Sequence, residues 1–295
     1  MELCLYNAVL TGMSCDGKKF TYVNQLASSD SDLSKRAEWF TCACCPPNMT
    51  RTLGFLGGYF WTFSADDEKK AANINVHLFG STTLRFDVGG QSLELSQTSD
   101  FPWHGEVAYS LSGAEAVETS IYIRIPSWAS GWTVAPQPTC TTPTKGYLHL
   151  PASYLKQNPR FTLHLPMTPR LVSPHPYTNQ DVVALARGPI IYCLEDIDNS
   201  WVDDHFKSLL FDTSASIEEA LETSDSETGE KYMYLRAKGE HSFLDTTALE
   251  VRPGLEESAI ERRNKGVEEL KFIPYYFRAN RQGKGHMRVG LRKKR

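Results

Sequence analysis

The spacing of the apolar residues changes at about residue 71, and that change constrains the fold more than any other feature of the chain. Before it, apolar side chains recur at every third or fourth position, as on one face of a helix; after it they alternate with polar ones, as on a strand with one buried face. In Glu2 to Met13, residues Leu3, Tyr6, Val9, Leu10 and Met13 fall at helical spacing, with Gly12 near the expected stop. Lys18 to Leu26 suits a short extended piece, and Ser28 to Ser34 is loop by composition. A second helix is predicted from Pro46 and Pro47. Proline suits a first helical turn because its missing N–H has no intrahelical partner there, and Met49, Leu53, Leu56 and Phe60 then share one face.

Past residue 71 the strand-like runs are Asn75 to Phe79, Thr83 to Val88 and Ser92 to Ser96, the last two flanking the hairpin signal Gly89-Gly90. Thr119 to Ile125 alternates Ile121, Ile123 and Ile125 with Tyr122 and Arg124, and Phe161, Leu163 and Leu165 repeat the pattern. Pro174-His175-Pro176 marks a boundary near residue 173. Further strands are predicted at Val182 to Ala186, Pro189 to Cys193, Ala248 to Val251, Leu270 to Tyr276 and Met287 to Leu291. The acidic stretch Thr213 to Glu230 is predicted to be a surface excursion with a short helix at Ile217 to Leu221. The expectation is therefore a mainly β chain: a helical segment over 1–70, one β-sandwich over 71–172 and a second over 173–295. Two amphipathic helices and a loop cannot bury their apolar faces alone, so the first 70 residues are expected to be the end of a larger helical domain.

Bulk properties exclude several function classes. Lys plus Arg total 31 against 35 for Asp plus Glu, a formal charge of −4 that is too balanced for capture of nucleic acid or an anionic membrane. The basic end Arg288, Arg292, Lys293, Lys294 and Arg295 reads as a solvated tail. No apolar run is long enough to span a bilayer. Glu2 directly after Met1 and an amphipathic pattern do not resemble a signal peptide.

The chemistry is concentrated in Cys42-Ala43-Cys44-Cys45-Pro46-Pro47-Asn48. The seven cysteines are an odd number, three of them crowded into four positions, which is not a disulfide framework; it favours metal or nucleophile chemistry in a reducing, cytoplasmic rather than secreted, setting. Adjacent cysteines are strained if oxidised to one another. As thiolates they suit Zn²⁺, and a position at a helix N-terminus favours their negative charge. Three readings compete: buried small hydrophobes, a purely structural zinc site, and a reactive metal-held thiolate. The other cysteines, Cys4, Cys15, Cys140 and Cys193, form no second paired motif, so the chain offers half of a zinc site. His77, His104, His149 and His164 lie in strand or loop contexts typical of satisfied histidines.

Glu2-Leu3-Cys4-Leu5-Tyr6-Asn7-Ala8-Val9-Leu10-Thr11-Gly12-Met13, Phe20-Thr21-Tyr22-Val23-Asn24 and Trp39-Phe40-Thr41-Cys42-Ala43-Cys44-Cys45-Pro46-Pro47-Asn48 together resemble the closing part of the catalytic domain of glycoside hydrolase family 127. Downstream, Ile123-Arg124-Ile125-Pro126-Ser127-Trp128-Ala129, Leu185 to Glu195 and Ile273-Pro274-Tyr275-Tyr276 to Arg281 resemble that family's β-sandwich signatures, in the same order. The resemblance implies an (α/α)₆ barrel, of which only the last helices are present here, followed by two β-sandwiches. It implies a zinc ion held by one glutamate and three cysteines, with Cys44 and Cys45 as two of the ligands and Cys44 also as the nucleophile. It implies a retaining glycosidase of the β-L-arabinofuranosidase type, with Glu2 and Tyr22 at the sugar site.

The remaining zinc ligands, the acid/base glutamate and several sugar-binding histidines of the family lie upstream of the segment matching Glu2, and Cys42 and Cys4 match no family ligand. The alternative is a non-catalytic remnant that binds carbohydrate or a partner, with Trp103, Trp128, Trp132 or Trp201 stacking on sugar rings. The partners expected are a glycoside substrate, no nucleic acid and no membrane, with a homodimer as the candidate assembly.

Overall fold

The computed structural model describes residues 1–223, 229–243 and 263–294. Strands dominate, and the chain divides into two compact units: Pro47–Thr168 with Glu2, and Leu3–Pro46 with Pro169–Arg295 and Met1. Among the described residues no helix is long and apolar enough to cross a membrane.

Helix α1 (Glu2–Cys4) continues through a π turn at Leu5–Val9 and a 3₁₀ turn at Leu10–Gly12, so the first predicted helix is present but irregular. Helix α2 (Cys45–Gly54) starts one residue before Pro46, and the division between the units falls inside it. Only Pro46 of its residues is buried.

The unit built on Pro47–Thr168 is a two-layer sandwich. Strands β1 (Trp61–Asp66), β2 (Ala71–Val76), β6 (Glu118–Arg124) and β8 (Tyr147–Leu150) form one sheet in that order. Strands β3 (Thr82–Val88), β4 (Gln91–Ser99), β5 (Glu106–Ser112), β9 (Arg160–His164) and β7 (Thr133–Ala135) form the other. Helix α3 (Ala152–Gln157) buries Leu155 in the same core. The alternation works as predicted: Ile121 and Ile123 of β6 meet Leu93, Leu95, Val107 and Leu163 of the opposite sheet in one cluster. The β3–β4 hairpin turns at Gly89 and Gly90, whose φ values of +55° and +76° are the left-handed pair this two-residue turn requires. Trp128 and Trp132 pack on this core, and Trp103 is half-buried, so none of the three is an open sugar platform.

The other unit carries β10 (Pro169–Val172), β11 (Val182–Arg187), β12 (Ile190–Glu195), β13 (Leu209–Phe211), β14 (Glu218–Thr223), β15 (Lys231–Phe243), β16 (Arg263–Pro274), β17 (Met287–Arg288) and β18 (Leu291–Lys293). Hydrogen bonding runs β11-β18-β13-β15-β16-β12, and β11 pairs β12 as well, so the pairing closes on itself. Two expectations are corrected. Ile217 to Leu221 is not a helix, because Glu218–Thr223 pairs residue for residue with Lys231–Arg236 and the ladder outweighs local propensity. Nor is the basic end a free tail over the described residues, since Leu291–Lys293 bonds to β11 and β13. The predicted strand at Ala248 to Val251 lies outside the described residues.

Residues 3–46 have few strands of their own and are held on this unit by polar bonds. Arg36 donates to the carbonyls of Thr11, Tyr276 and Arg278 at 2.7 to 3.2 Å. Asn7 clasps the β11–β12 turn, donating to the Pro189 carbonyl at 2.8 Å and accepting from Ile191 N–H at 2.7 Å. Ser28 N–H donates to the Met287 carbonyl at 2.9 Å, and Met287 N–H returns a bond to the Ser28 hydroxyl at 2.7 Å.

Ile121 is fully buried, so Ile121→Ala removes packed methyl groups and is expected to lower stability by about 3 kcal/mol. Urea unfolding of the variant checks this, and a loss below about 1 kcal/mol would mean the two sheets do not share the core described.

Candidate active site

Three thiols and a phenol come together where residues 40–45 lead into α2. Cys44 immediately precedes the helix and Cys45 is its first residue; their sulfurs stand 3.8 Å apart, and both residues are exposed. Pro46 and Pro47 contribute no N–H, so this helix mouth presents fewer backbone donors than most, and side chains carry more of the burden.

Tyr22 supplies part of it. Its ring meets Phe40 edge-on at 4.5 Å, and its hydroxyl donates to the Cys42 carbonyl. Hydrogen bonds from Cys45 first, then from Tyr22 and Cys42, hold the Cys44 thiol below its ordinary value. The same bond seen from Cys45 pushes that thiol up, and burial together with Cys44 pushes the Tyr22 hydroxyl up. Of the three groups, Cys44 is the one its neighbours favour to ionise. The remaining cysteines divide by exposure. Cys4 and Cys140 are exposed, Cys15 is half-buried with its thiol raised to about 11 chiefly by burial, and Cys193 is sealed in the sandwich core.

Zinc can be weighed against this geometry. Two sulfurs each about 2.3 Å from a tetrahedral zinc lie about 3.8 Å from one another. The observed separation is 3.8 Å, so the pair suits one edge of such a site. The described residues contain no cluster of three or more His, Cys, Asp or Glu side chains placed to hold a metal, so they furnish two donors of four.

Glu2, the other sequence-derived sugar contact, groups with the sandwich built on Pro47–Thr168. Its side chain is only 5% exposed, and both carboxylate oxygens are taken. Arg124 Nη2 donates to one at 2.5 Å and Trp128 Nε1 to the other at 3.0 Å. Arg124 also donates to the His77 carbonyl at 2.6 Å and lies over the Phe79 ring. The structure thus brings Tyr22, Cys44 and Cys45 together, while Glu2 is bound by two side chains of the Ile123-to-Ala129 motif. The sequence carried a signal for Arg124 and Trp128 in that motif, but nothing in it named their carboxylate partner. The tryptophan that stands open is Trp39, 83% exposed, instead of the four singled out from sequence; Trp201 packs edge-on against Phe206 and His241.

Comparison with known proteins follows the same order along the chain. Residues 1–57 match the family model described as the β-L-arabinofuranosidase GH127 catalytic domain, 73–167 the GH127 middle domain, and 169–292 the glycoside hydrolase family 127 C-terminal domain. A non-reducing end β-L-arabinofuranosidase of Bifidobacterium longum subsp. longum is 31% identical over 311 residues, covering 99% of this chain and 45% of the relative. A crystal structure of a GH127 β-L-arabinofuranosidase from Geobacillus stearothermophilus T6 superposes with a TM-score of 0.79 at 30% identity, over 100% of this chain and 46% of that one. A second solved structure, titled a glycoside hydrolase, gives 0.81 at 29% identity over 100% of this chain and 48% of that one. The chain spans just under half the length of the relatives it matches.

Two outcomes are expected. A thiol reagent on the native chain should label Cys4, Cys42, Cys44, Cys45 and Cys140 quickly and Cys15 slowly, reaching Cys193 only on unfolding; prompt labelling of Cys193 would contradict its burial. Arg124→Met should destabilise by about 3 kcal/mol because it strands the buried Glu2 carboxylate, and adding Glu2→Gln should recover part of that loss in denaturant melts.

Proposed function

The chain belongs to glycoside hydrolase family 127, and from that premise we propose that it is the C-terminal portion of a retaining, zinc-thiolate glycosidase acting on β-L-arabinofuranosides or related glycosides. The observation that carries the reading is the pair of sulfurs of Cys44 and Cys45, 3.8 Å apart at the start of α2. Bound there, zinc would keep the sulfurs deprotonated and aimed.

Cys44 Sγ attacks the anomeric carbon, and the C–S bond forms as the C–O bond to the aglycone breaks, with the leaving oxygen taking a proton from an acid outside the residues described. Water then displaces the sulfur from the opposite face, its proton passing to the conjugate base of that same acid, and two inversions give net retention. Tyr22 orients the thiol loop through the bond of its hydroxyl to the Cys42 carbonyl, and its partly exposed ring is available for contact with a sugar. Cys45 serves as the second metal donor and as hydrogen-bond partner to Cys44. Glu2 is the second residue assigned to sugar contact, each of its carboxylate oxygens already accepting one bond, from Arg124 and from Trp128.

A second reading follows from the incomplete donor set: alone, the chain is a non-catalytic remnant that binds a carbohydrate or a partner subunit. Zinc titration separates the two. With the helical part of a relative's catalytic domain joined ahead of Met1, one zinc per chain is expected, and Cys44→Ser should lower hydrolysis of a synthetic β-L-arabinofuranoside by about 10³-fold or more. Unchanged turnover in that variant would remove the mechanism. Tight stoichiometric zinc in the present chain alone would instead mark a structural metal module.

A further inference from the structure

Two histidines from distant parts of the chain, neither used by the reaction above, stack on one another in the unit that includes Pro169–Arg295. The rings of His205 and His286 lie 4.0 Å apart with 30° between their planes. His205 is 1% exposed, and it and Phe206 both hold left-handed backbone, at φ +57° and +58°. Two successive residues with side chains adopt that conformation only where their surroundings impose it.

His205 holds the turn at Ser28–Asp32. Its Nε2 stands 3.0 Å from Asp30 Oδ1, and its Nδ1 stands 2.8 Å from the Ser28 hydroxyl. Ser28 is seated in turn on Met287, whose N–H donates to the Ser28 hydroxyl at 2.7 Å and whose carbonyl accepts from Ser28 N–H at 2.9 Å. Val23 and Gln25, earlier in the segment, have separate anchors, their carbonyls accepting from Arg278 and from the Tyr275 hydroxyl. The turn therefore has a lock of its own.

The two rings differ in what a proton meets. An ionised Asp30 only accepts, so His205 Nε2 carries a hydrogen. The Ser28 hydroxyl donates to a neutral His205 Nδ1 or, turned to the Met287 carbonyl at 3.2 Å, accepts from a charged one. His205 thus takes a proton without losing a bond. His286 Nδ1 is buried without a hydrogen-bond partner among the described residues, so a proton there lacks an acceptor and faces a second cation across the stack. The other charged groups around the pair are Asp204 and Lys207 beside His205, Arg288, Asp196 and Lys284. Arg288 donates to the His205 carbonyl at 2.7 Å, and Asp196 accepts His286 N–H at 2.8 Å. Burial first, and then His205, draw His286 below its ordinary value, against the pull of Asp196 and Asp30.

We infer that the stack is an acid-sensitive latch, which admits one proton while Ser28–Asp32 is seated on Met287 and releases that turn when a second proton binds. Released, His286 takes its proton near about pH 6.5, whereas seated it takes one only at lower pH. The seated form is therefore fully favoured above about pH 6.5 and loses ground as the pH falls below it.

Hydrogen exchange of the whole chain, read by mass spectrometry and corrected for the intrinsic pH dependence of exchange, tests the latch. From about pH 7 to about pH 5, peptides spanning residues 26–34 should lose protection about fivefold while those of β6 keep theirs. His286→Phe keeps a ring in the stack without a titratable nitrogen and should abolish the fall. Asp30→Asn, at a side chain 94% exposed, removes the carboxylate that supports the first proton and should deepen it. Protection that is unchanged with pH, an equal fall in His286→Phe, or a smaller fall in Asp30→Asn overturns the latch.

Discussion

Residues 3–46 depend on borrowed hydrogen-bond partners. They contain one irregular helix and single β-bridges, so their backbone groups must be satisfied by the sandwich beneath them. Arg36 is one of these anchors, tying the Thr11 carbonyl to those of Tyr276 and Arg278 with one planar fork. Tyr275 returns a bond from its hydroxyl to the Gln25 carbonyl, and Arg278 reaches the Val23 carbonyl. The geometry of the thiol loop follows from these anchors, since Tyr22 lies between two anchored residues and its hydroxyl meets the Cys42 carbonyl. A strongly apolar anchor would have fixed position by volume. A polar one fixes direction as well, and direction is what the proposed sulfur nucleophile would require.

The strands that the sequence made legible are those whose pattern is local. Thr83 to Val88, its hairpin partner and Thr119 to Ile125 carry alternation and turn signals within their own length, and the structure places strands there. Strand β14 carries no such signal. Glu218–Thr223 is acidic enough to read as a solvated excursion, yet the Glu219 carboxylate pairs with Arg187 of β11, and Glu222 accepts from Tyr232 and Lys271. Those partners are distant in sequence, so no window of a few residues could reveal them. The basic end was misread for the same reason: Arg288 donates to the His205 carbonyl and Lys293 pairs with Asp181, partners that only the fold brings near.

At the site, residue type was legible and circumstance was not. Cys44 and Cys45 announce themselves by adjacency, because few demands other than a metal or a nucleophile put two thiols side by side. Tyr22 came from resemblance, and the structure places its hydroxyl on the Cys42 carbonyl beside the cysteine pair. Glu2 shows the limit. A carboxylate in a first helical turn reads equally well as solvated or as sugar-binding, and only the fold reveals Arg124 and Trp128 bound to its two oxygens.

The same contrast explains why Cys44 and Glu2, both acidic groups near the start of a helix, have opposite chemical characters. Glu2 is sealed from water and each of its oxygens accepts a bond from a fixed donor, Arg124 on one and Trp128 on the other. Cys44 stands in solvent at a helix mouth whose first turn holds two prolines, with the Cys45 sulfur 3.8 Å away and the Tyr22 hydroxyl bonded to the neighbouring Cys42 carbonyl. A thiol is a weak hydrogen-bond partner. Tighter hydrogen bonding would stabilise the thiolate further while lowering its nucleophilicity. An exposed thiol beside a second sulfur is what the proposed metal-held nucleophile would require, and a buried carboxylate bonded on both oxygens, such as Glu2, lacks that exposure.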